Sequence, residues 1–153
     1  MYRLQVLSAP TSVRGEAARG EPERDAALVA EWFAAFHAEA LPSDPVEDWD
    51  DRARVRLAAG EVHLWREAGR PVSLAAVSPA AGGVARIGPV YTLPAARRHG
   101  YGSAVTAAAT AAALAAGALQ VVLYADLDNP TANSIYQGIG FKADHDTLTV
   151  VFT

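Results

Sequence analysis

Residues 84–125 restrict the fold more than any other part of the chain. "VARIGPVYTL" alternates like a strand, "PAARRHGYG" is a basic, glycine-bearing turn, and "GSAVTAAATAAALAA" is helical by propensity. Gly117 follows the last helical turn as a natural C-cap, and "LQVVLYADL" is a near-continuous apolar strand of the kind found inside a sheet. Such a strand–helix–strand unit places the chain in the α/β class.

The flanks extend this unit. "EVHLWRE", "PVSLAAVS" and "VARIGPVYTL" are separated by the turns "AGR" and "PAAGG", which predicts an antiparallel meander. "YRLQVL" and "GEAARG" are short leading strands. Leu28, Val29, Trp32, Phe33 and Phe36 fall at helical spacing, so an amphipathic helix is expected over 23–40. Pro42 and Pro45 break it, and a second helix is expected from about 46 to 59, ending at Gly60. "NPTANSIYQGIG" offers Asn129 as N-cap, Pro130 as first helical position and a glycine stop; "FKADHDTLTVVF" closes with one or two strands.

Composition removes several functions. The 153 residues suffice for one ordinary domain with a substantial core. Zero cysteines exclude a disulfide framework, a thiolate nucleophile and a cysteine zinc site. His37, His63, His99 and His145 show no ligand spacing, so no metal is expected. A net charge of −4 argues against general nucleic-acid binding. No apolar run is long enough to span a membrane, and "MYRLQVLSAP" does not read as a signal peptide, so a cytoplasmic location is the expectation.

The stretch "RRHGYGS", 97–103, is the first chemical signal. A helix entry offers unpaired N–H groups and the positive end of the helix dipole. Gly100 and Gly102 let the backbone approach a ligand without Cβ obstruction, while Arg97, Arg98 and His99 add charge and Ser103 a hydroxyl. Pyrophosphate is the anion that best fits such a nest.

Context narrows the reading. "VYTLPAARRHGYGSA" resembles the acyl-CoA loop of the GNAT superfamily of N-acetyltransferases, with its Gln/Arg-x-x-Gly-x-Gly/Ala signature at Arg97, Gly100 and Gly102. "NPTANSIYQGIGF" resembles the superfamily's second pattern, at Asn129, Ala132, Tyr136, Gly140 and Phe141. "RGEPERDAALVAEW" looks like the usual opening strand and helix. The resemblance covers roughly residues 14–153. It implies a GNAT-like fold: a central, mixed, mostly antiparallel sheet, with parallel fourth and fifth core strands that splay apart, flanked by about four helices. Residues 13–153 would form the acetyltransferase domain and 1–12 an extra N-terminal strand, read as an added strand, a homodimer contact or the remnant of a preceding module.

The resemblance also implies roles. Acetyl-CoA would be the acyl donor, with its pyrophosphate on the N–H groups from Arg98 through Tyr101 to Ser103. Its pantetheine arm would lie along Val90-Tyr91-Thr92, where backbone groups of Val90 and Thr92 pair with it and the Val90 N–H polarises the thioester carbonyl. Gly88-Pro89 inside that strand fits a local break, since proline gives no ladder donor and glycine often marks a bulge. Tyr136 is the catalytic candidate, protonated at neutral pH and able to donate to a leaving sulfur; Asn129 and Asn133 would be polar contacts to the cofactor. Many relatives carry a glutamate base on the fourth strand, but "VARIGPVYT" has no carboxylate. Glu39, Glu61, His37, His63 and Asp126 are the remaining base candidates, beside a chain of ordered waters.

The acceptor would be a primary amine on a small molecule or peptide, attacking directly in a ternary complex. The acidic stretch Asp44, Glu47, Asp48, Asp50 and Asp51 suggests a cationic one. A catalytically silent acyl-CoA-binding module, or one half of a two-module acetyltransferase, is the alternative. A dinucleotide-binding domain fits less well, because "GYGSAV" lacks the third glycine of that fingerprint.

Overall fold

The computed structural model describes residues 1–125 and 130–143, without the side chains of 130–132. Its strands are β1 (Tyr2–Leu4), β2 (Glu16–Arg19), β3 (Val62–Glu67), β4 (Arg70–Ala81), β5 (Val84–Thr92), β6 (Gln120–Leu123) and β7 (Phe141–Ala143). The helices are α1 (Pro22–Ala40), α2 (Trp49–Ala58), α3 (Tyr101–Ala115) and α4 (Pro130–Gly138), with a 3₁₀ turn at Pro94–Ala96. All seven strands join one sheet in the order β2-β3-β4-β5-β6-β1-β7. Among the described residues only β5 and β6 pair in parallel; the other pairings are antiparallel.

Alternation along β4 separates two cores. Leu74 and Ala76 pack with Val29, Trp32 and Phe33 of α1 and Ala53 and Leu57 of α2. Ala75 and Val77 face the other way, toward Val105, Ala109 and Ala113 of α3. The alanines that make α3 a strong helix former also let it lie close to the sheet.

Local chemistry sets most boundaries. Proline opens α1, and the buried Asp25 carboxylate accepts from the Glu21 amide at 2.8 Å. Helix α2 starts three residues later than the expected 46, because Asp48 caps it by accepting from the Asp51 amide at 3.1 Å. The expected five-residue turn "PAAGG" shrinks to Gly82-Gly83, with φ of 61° and 83°, and β4 runs on to Ala81. Two successive positive φ values are what a two-residue hairpin demands, and glycine meets that demand at both positions.

The leading strand is part of the sheet. Tyr2 and Leu4 point into the α3-side core, and β1 pairs on one edge with β6 and on the other with β7. The segment after it bonds to the α4–β7 junction, with Gln5 N–H to Gly140 O at 2.9 Å and Ser8 N–H to Ile139 O at 2.9 Å. Gly140 has φ of 111°, and any side chain there would collide with the Val6 carbonyl. Of the expected closing strands, β7 is present, and 144–153 lie outside the described residues.

Candidate active site

The site begins where two strands part. Parallel pairing of β5 with β6 runs from Val84↔Gln120 to Ile87↔Leu123 and stops there. Across β4, Val77 pairs with Ile87 and Ala75 with Val90, so Gly88 and Pro89 together stand opposite Ala76. This is a β-bulge at the expected glycine–proline step, and pairing with β6 ends immediately before it. Beyond the bulge, β5 is bonded on one edge only. The Leu93 N–H donates to Val72 O at 3.1 Å, so by alternation Tyr91 also faces β4, while Val90 and Thr92 face the split. Arg97 Nε donates to Thr92 O at 3.0 Å from that open side. The Tyr91 ring is buried against Trp32 at 5.9 Å, and its hydroxyl pKa is raised by burial and then by Glu39. Tyr91 therefore anchors the edge and offers nothing to the split.

The loop at the start of α3 has the features of an anion nest. Arg98 and Gly100 have φ of 71° and 82°, and no side chain caps the helix. The first-turn N–H groups of Tyr101, Gly102 and Ser103 precede the first intrahelical bond, Ala104 N–H to Gly100 O at 3.0 Å. The Arg98 and His99 side chains are exposed, with the His99 ring 5.5 Å from Tyr101. Arg97 is committed elsewhere, since its guanidinium reaches both Glu39 oxygens at 2.9 and 3.1 Å. A Cβ on Gly102 would meet only Thr92 Oγ1, at 3.4 Å, so the protein itself does not require glycine there. Close approach of a ligand would. A cavity of about 290 Å³ runs from Ser103 to Ser134, Ile135 and Gly138 of α4, walled by Ser8, Ala9 and Pro10.

On α4, Asn133 and Tyr136 stand one turn apart and face β1. The Tyr2 hydroxyl donates to Asn133 Oδ1. The Tyr2 and Tyr136 rings lie 6.1 Å apart, tilted by 54°. Burial pushes the Tyr136 hydroxyl up to about 12, with the neighbouring Tyr2 phenol adding to the effect. Tyr136 and Val90 both border the same core cluster. Tyr2 is a site residue that sequence reasoning missed. The alternation of "YRL" fixes which face Tyr2 takes, but not which strands β1 joins. Asn129 and Asp126 lie outside the described residues.

The opposite face of the split holds a second cavity of about 680 Å³, between α1, α2 and the parting strands. Phe36, Leu41, Trp49, Pro89 and Tyr124 form its apolar walls, and Asp44, Arg56 and Arg86 line it too. Arg56 ties the bulge down: it pairs with Glu61 at 2.8 Å and donates to Gly88 O at 2.8 Å and Ser78 Oγ at 3.3 Å.

The base candidates are scattered. Glu61 is spent on Arg56 and Glu39 on Arg97. The His37 ring packs on Trp49 at 5.1 Å, with Nε2 buried and unpartnered. His63 is opposite Ala75 and so lies beneath α3, on the other side of the sheet. The acidic stretch is also largely used: Asp48 caps α2, Glu47 pairs with Arg52 at 3.1 Å, and Asp51 meets Arg54 at 3.5 Å. Among the described residues, no group of His, Cys, Asp or Glu stands close enough to hold a metal ion, and no helix is long and apolar enough to cross a membrane.

A mixed sheet whose single parallel pair parts beside an uncapped, glycine-bearing helix entry defines the acetyltransferase class. The sequence profile of the acetyltransferase (GNAT) family matches residues 26–141, and the chain belongs to that family. No curated protein matches it. Among solved structures it is similar to a GNAT family acetyltransferase from Brucella melitensis in complex with acetyl-CoA, at 25% identity and a TM-score of 0.62, covering 84% of this chain and 82% of that one. A ribosomal-protein-alanine N-acetyltransferase from Brucella melitensis shares the fold at a TM-score of 0.70 and 16% identity, over 83% and 84% of the two chains. So does AAC(6')-Iy in complex with the bisubstrate analogue CoA-S-monomethyl-acetylneamine, at 0.63 and 15%, over 84% and 90%.

Proposed function

We propose that the chain transfers an acetyl group from acetyl-CoA to a primary amine by direct attack in a ternary complex. The observation that carries this is the one-edged stretch of β5, which leads from the anion nest to the place where β5 and β6 part. The pyrophosphate would sit on the N–H groups of residues 98–103, with Arg98 and His99 beside it. The pantetheine amides would take the edge of Val90 and the N–H of Thr92 as if adding a strand, beside the Arg97 guanidinium that already donates to Thr92 O. Solved relatives holding acetyl-CoA, or an analogue joining CoA to an acceptor, support donor and acceptor meeting at one site.

The amine nitrogen forms the new C–N bond as the C–S bond breaks, with the Val90 N–H donating to the carbonyl oxygen where negative charge develops. Tyr136 serves the leaving sulfur as a hydrogen-bond donor rather than a proton source. Burial pushes its hydroxyl up to about 12, above a free thiol's ~8.5, which favours a protonated tyrosine that donates without losing its proton. The incoming ammonium's surplus proton leaves through water, because no unpaired carboxylate of β5 or α1 meets the bulge. Asp44, on the acceptor wall, faces a substrate that is cationic until it loses that proton. Residues 1–12 would belong to the catalytic unit, since β1 supplies Tyr2.

The test is thiol release from acetyl-CoA with a panel of amines, alongside calorimetric CoA binding. Binding and amine-dependent release are expected together. Binding with no release from any amine would leave a silent acyl-CoA-binding module.

A further inference from the structure

We propose that the acceptor is a free α-amino acid with a large apolar side chain, and that Arg86 holds its carboxylate. This rests on the acetyl-transfer reading and names the substrate of the same site. The acceptor-side cavity contains three arginines, and two are already neutralised: Arg52 by Glu47 at 3.1 Å and Arg56 by Glu61 at 2.8 Å. Arg86 differs. Its guanidinium lies over the Tyr124 ring, 4.4 Å from the centroid, and among the described residues no carboxylate stands within ion-pair reach of it. The ring holds the guanidinium by cation–π attraction and takes up none of its N–H donors, which can donate to a carboxylate through two parallel bonds. One free guanidinium matches one carboxylate; a phosphate dianion would leave a charge uncompensated.

Position brings the two groups of the acceptor to one place. Arg86 precedes Gly88 by two residues on the strand that borders the split, and both line the same cavity. A Cβ on Gly88 would meet nothing within 4 Å, so the space beside it is open. An amine presented there and an anion on Arg86 share that one cavity, which suits an acceptor carrying both groups on a compact backbone, as an α-amino acid does. The remaining walls are Phe36, Leu41, Trp49 and Pro89, which suit an apolar side chain. The volume of about 680 Å³ falls within the ~300–1,000 Å³ of small-molecule sites and exceeds what glycine or alanine would fill.

The experiment compares phenylalanine with phenylalaninamide, phenethylamine and spermidine, using thiol release from acetyl-CoA and calorimetric binding in the presence of CoA. Phenylalanine should exceed phenylalaninamide in kcat/KM by at least about tenfold, because a site built for a polar group rejects the analogue lacking it. Arg86→Gln should collapse that ratio toward one, and Arg86→Lys should retain part of it. An amide as good as the acid, or a ratio unmoved by Arg86→Gln, overturns the proposal. If Arg86→Gln does not fold, the comparison of acid with amide on the unaltered protein decides alone. If phenylalanine binds, and binds at least about tenfold more weakly to Arg86→Gln, while no amine releases thiol, the carboxylate site stands and the transfer reading falls. If phenylalanine neither binds nor reacts, the proposal falls, whichever amine is acetylated.

Discussion

The two sides of the β5/β6 split are built from different material. On the α3–α4 side the groups available to a ligand are largely backbone: the first-turn amides of α3, the edge of Val90 and the N–H of Thr92. On the α1–α2 side they are side chains: Phe36, Trp49, Tyr124 and Arg86. Backbone recognition restricts sequence, because a close approach excludes Cβ and an αL position favours glycine. Side-chain recognition leaves no such mark, since any of several aromatic residues makes a wall. On the proposed acetyl-transfer reading, the donor would be served mainly by backbone and the acceptor by side chains.

Tyr136→Phe should separate chemistry from binding most sharply. We expect kcat to fall by about 10²–10³, the loss typical of one hydrogen-bond donor at a developing charge, with CoA affinity kept. Turnover like the unaltered protein's, measured where chemistry limits the rate, would reduce Tyr136 to packing.

Gly102→Val tests whether the donor side depends on backbone approach. The fold has room for an added Cβ, with Thr92 Oγ1 3.4 Å away, and an unmoved melting temperature would assign any loss of binding to the ligand's approach. CoA affinity should drop at least about 100-fold, or ~2.7 kcal/mol, with the melting temperature little changed. Unaltered calorimetric affinity would break the contrast drawn between the two sides.

Acid should act through the α3 side. Burial, and then the Arg19 charge, push His63 down to about 4, and its Nε2 has no partner. Between pH ~6.5 and ~4 the unfolded chain therefore binds the proton that the folded one refuses, and stability falls as pH falls, by up to about 3 kcal/mol. Denaturation midpoints across that range should show the slope, and His63→Gln should flatten it. An unchanged slope in the variant would place the acid sensitivity elsewhere.

Tyr2→Phe is the gentlest change. Losing its donor to Asn133 should cost about 1 kcal/mol of stability. If Tyr2 also positions α4, kcat should drop several-fold while the KM for acetyl-CoA holds. A stability loss with no change in kcat would leave it a purely structural residue.

Legibility in the sequence followed the same division. The loop at 97–103 and the helix that carries Tyr136 were readable because a left-handed position favours glycine at 100 and proline suits the first helical position at 130. The bulge was readable because Gly88-Pro89 cannot continue a ladder on both edges. The slot taken by β1 was not, since "YRLQVL" specifies a face but no neighbours, and the pairing that places it joins residues over a hundred positions apart. The role of the acidic stretch was not legible from composition. Counting carboxylates between 44 and 51 says nothing of Asp48 closing on a backbone amide or of the arginines that face Glu47 and Asp51.

The placement of β1 has a consequence for how the molecule is made. Tyr2 meets Asn133 across 131 positions of chain, and both strands that flank β1 are translated after residue 119. During synthesis at the ribosome β1 emerges well ahead of both and waits without a partner on either edge, the exposed state in which strands recruit other chains. Closing so long a loop also carries an entropic cost that only the completed sheet can offset. β1 therefore enters the sheet only after β6 and β7 have formed beside its slot, and Tyr2 meets Asn133 in that same step.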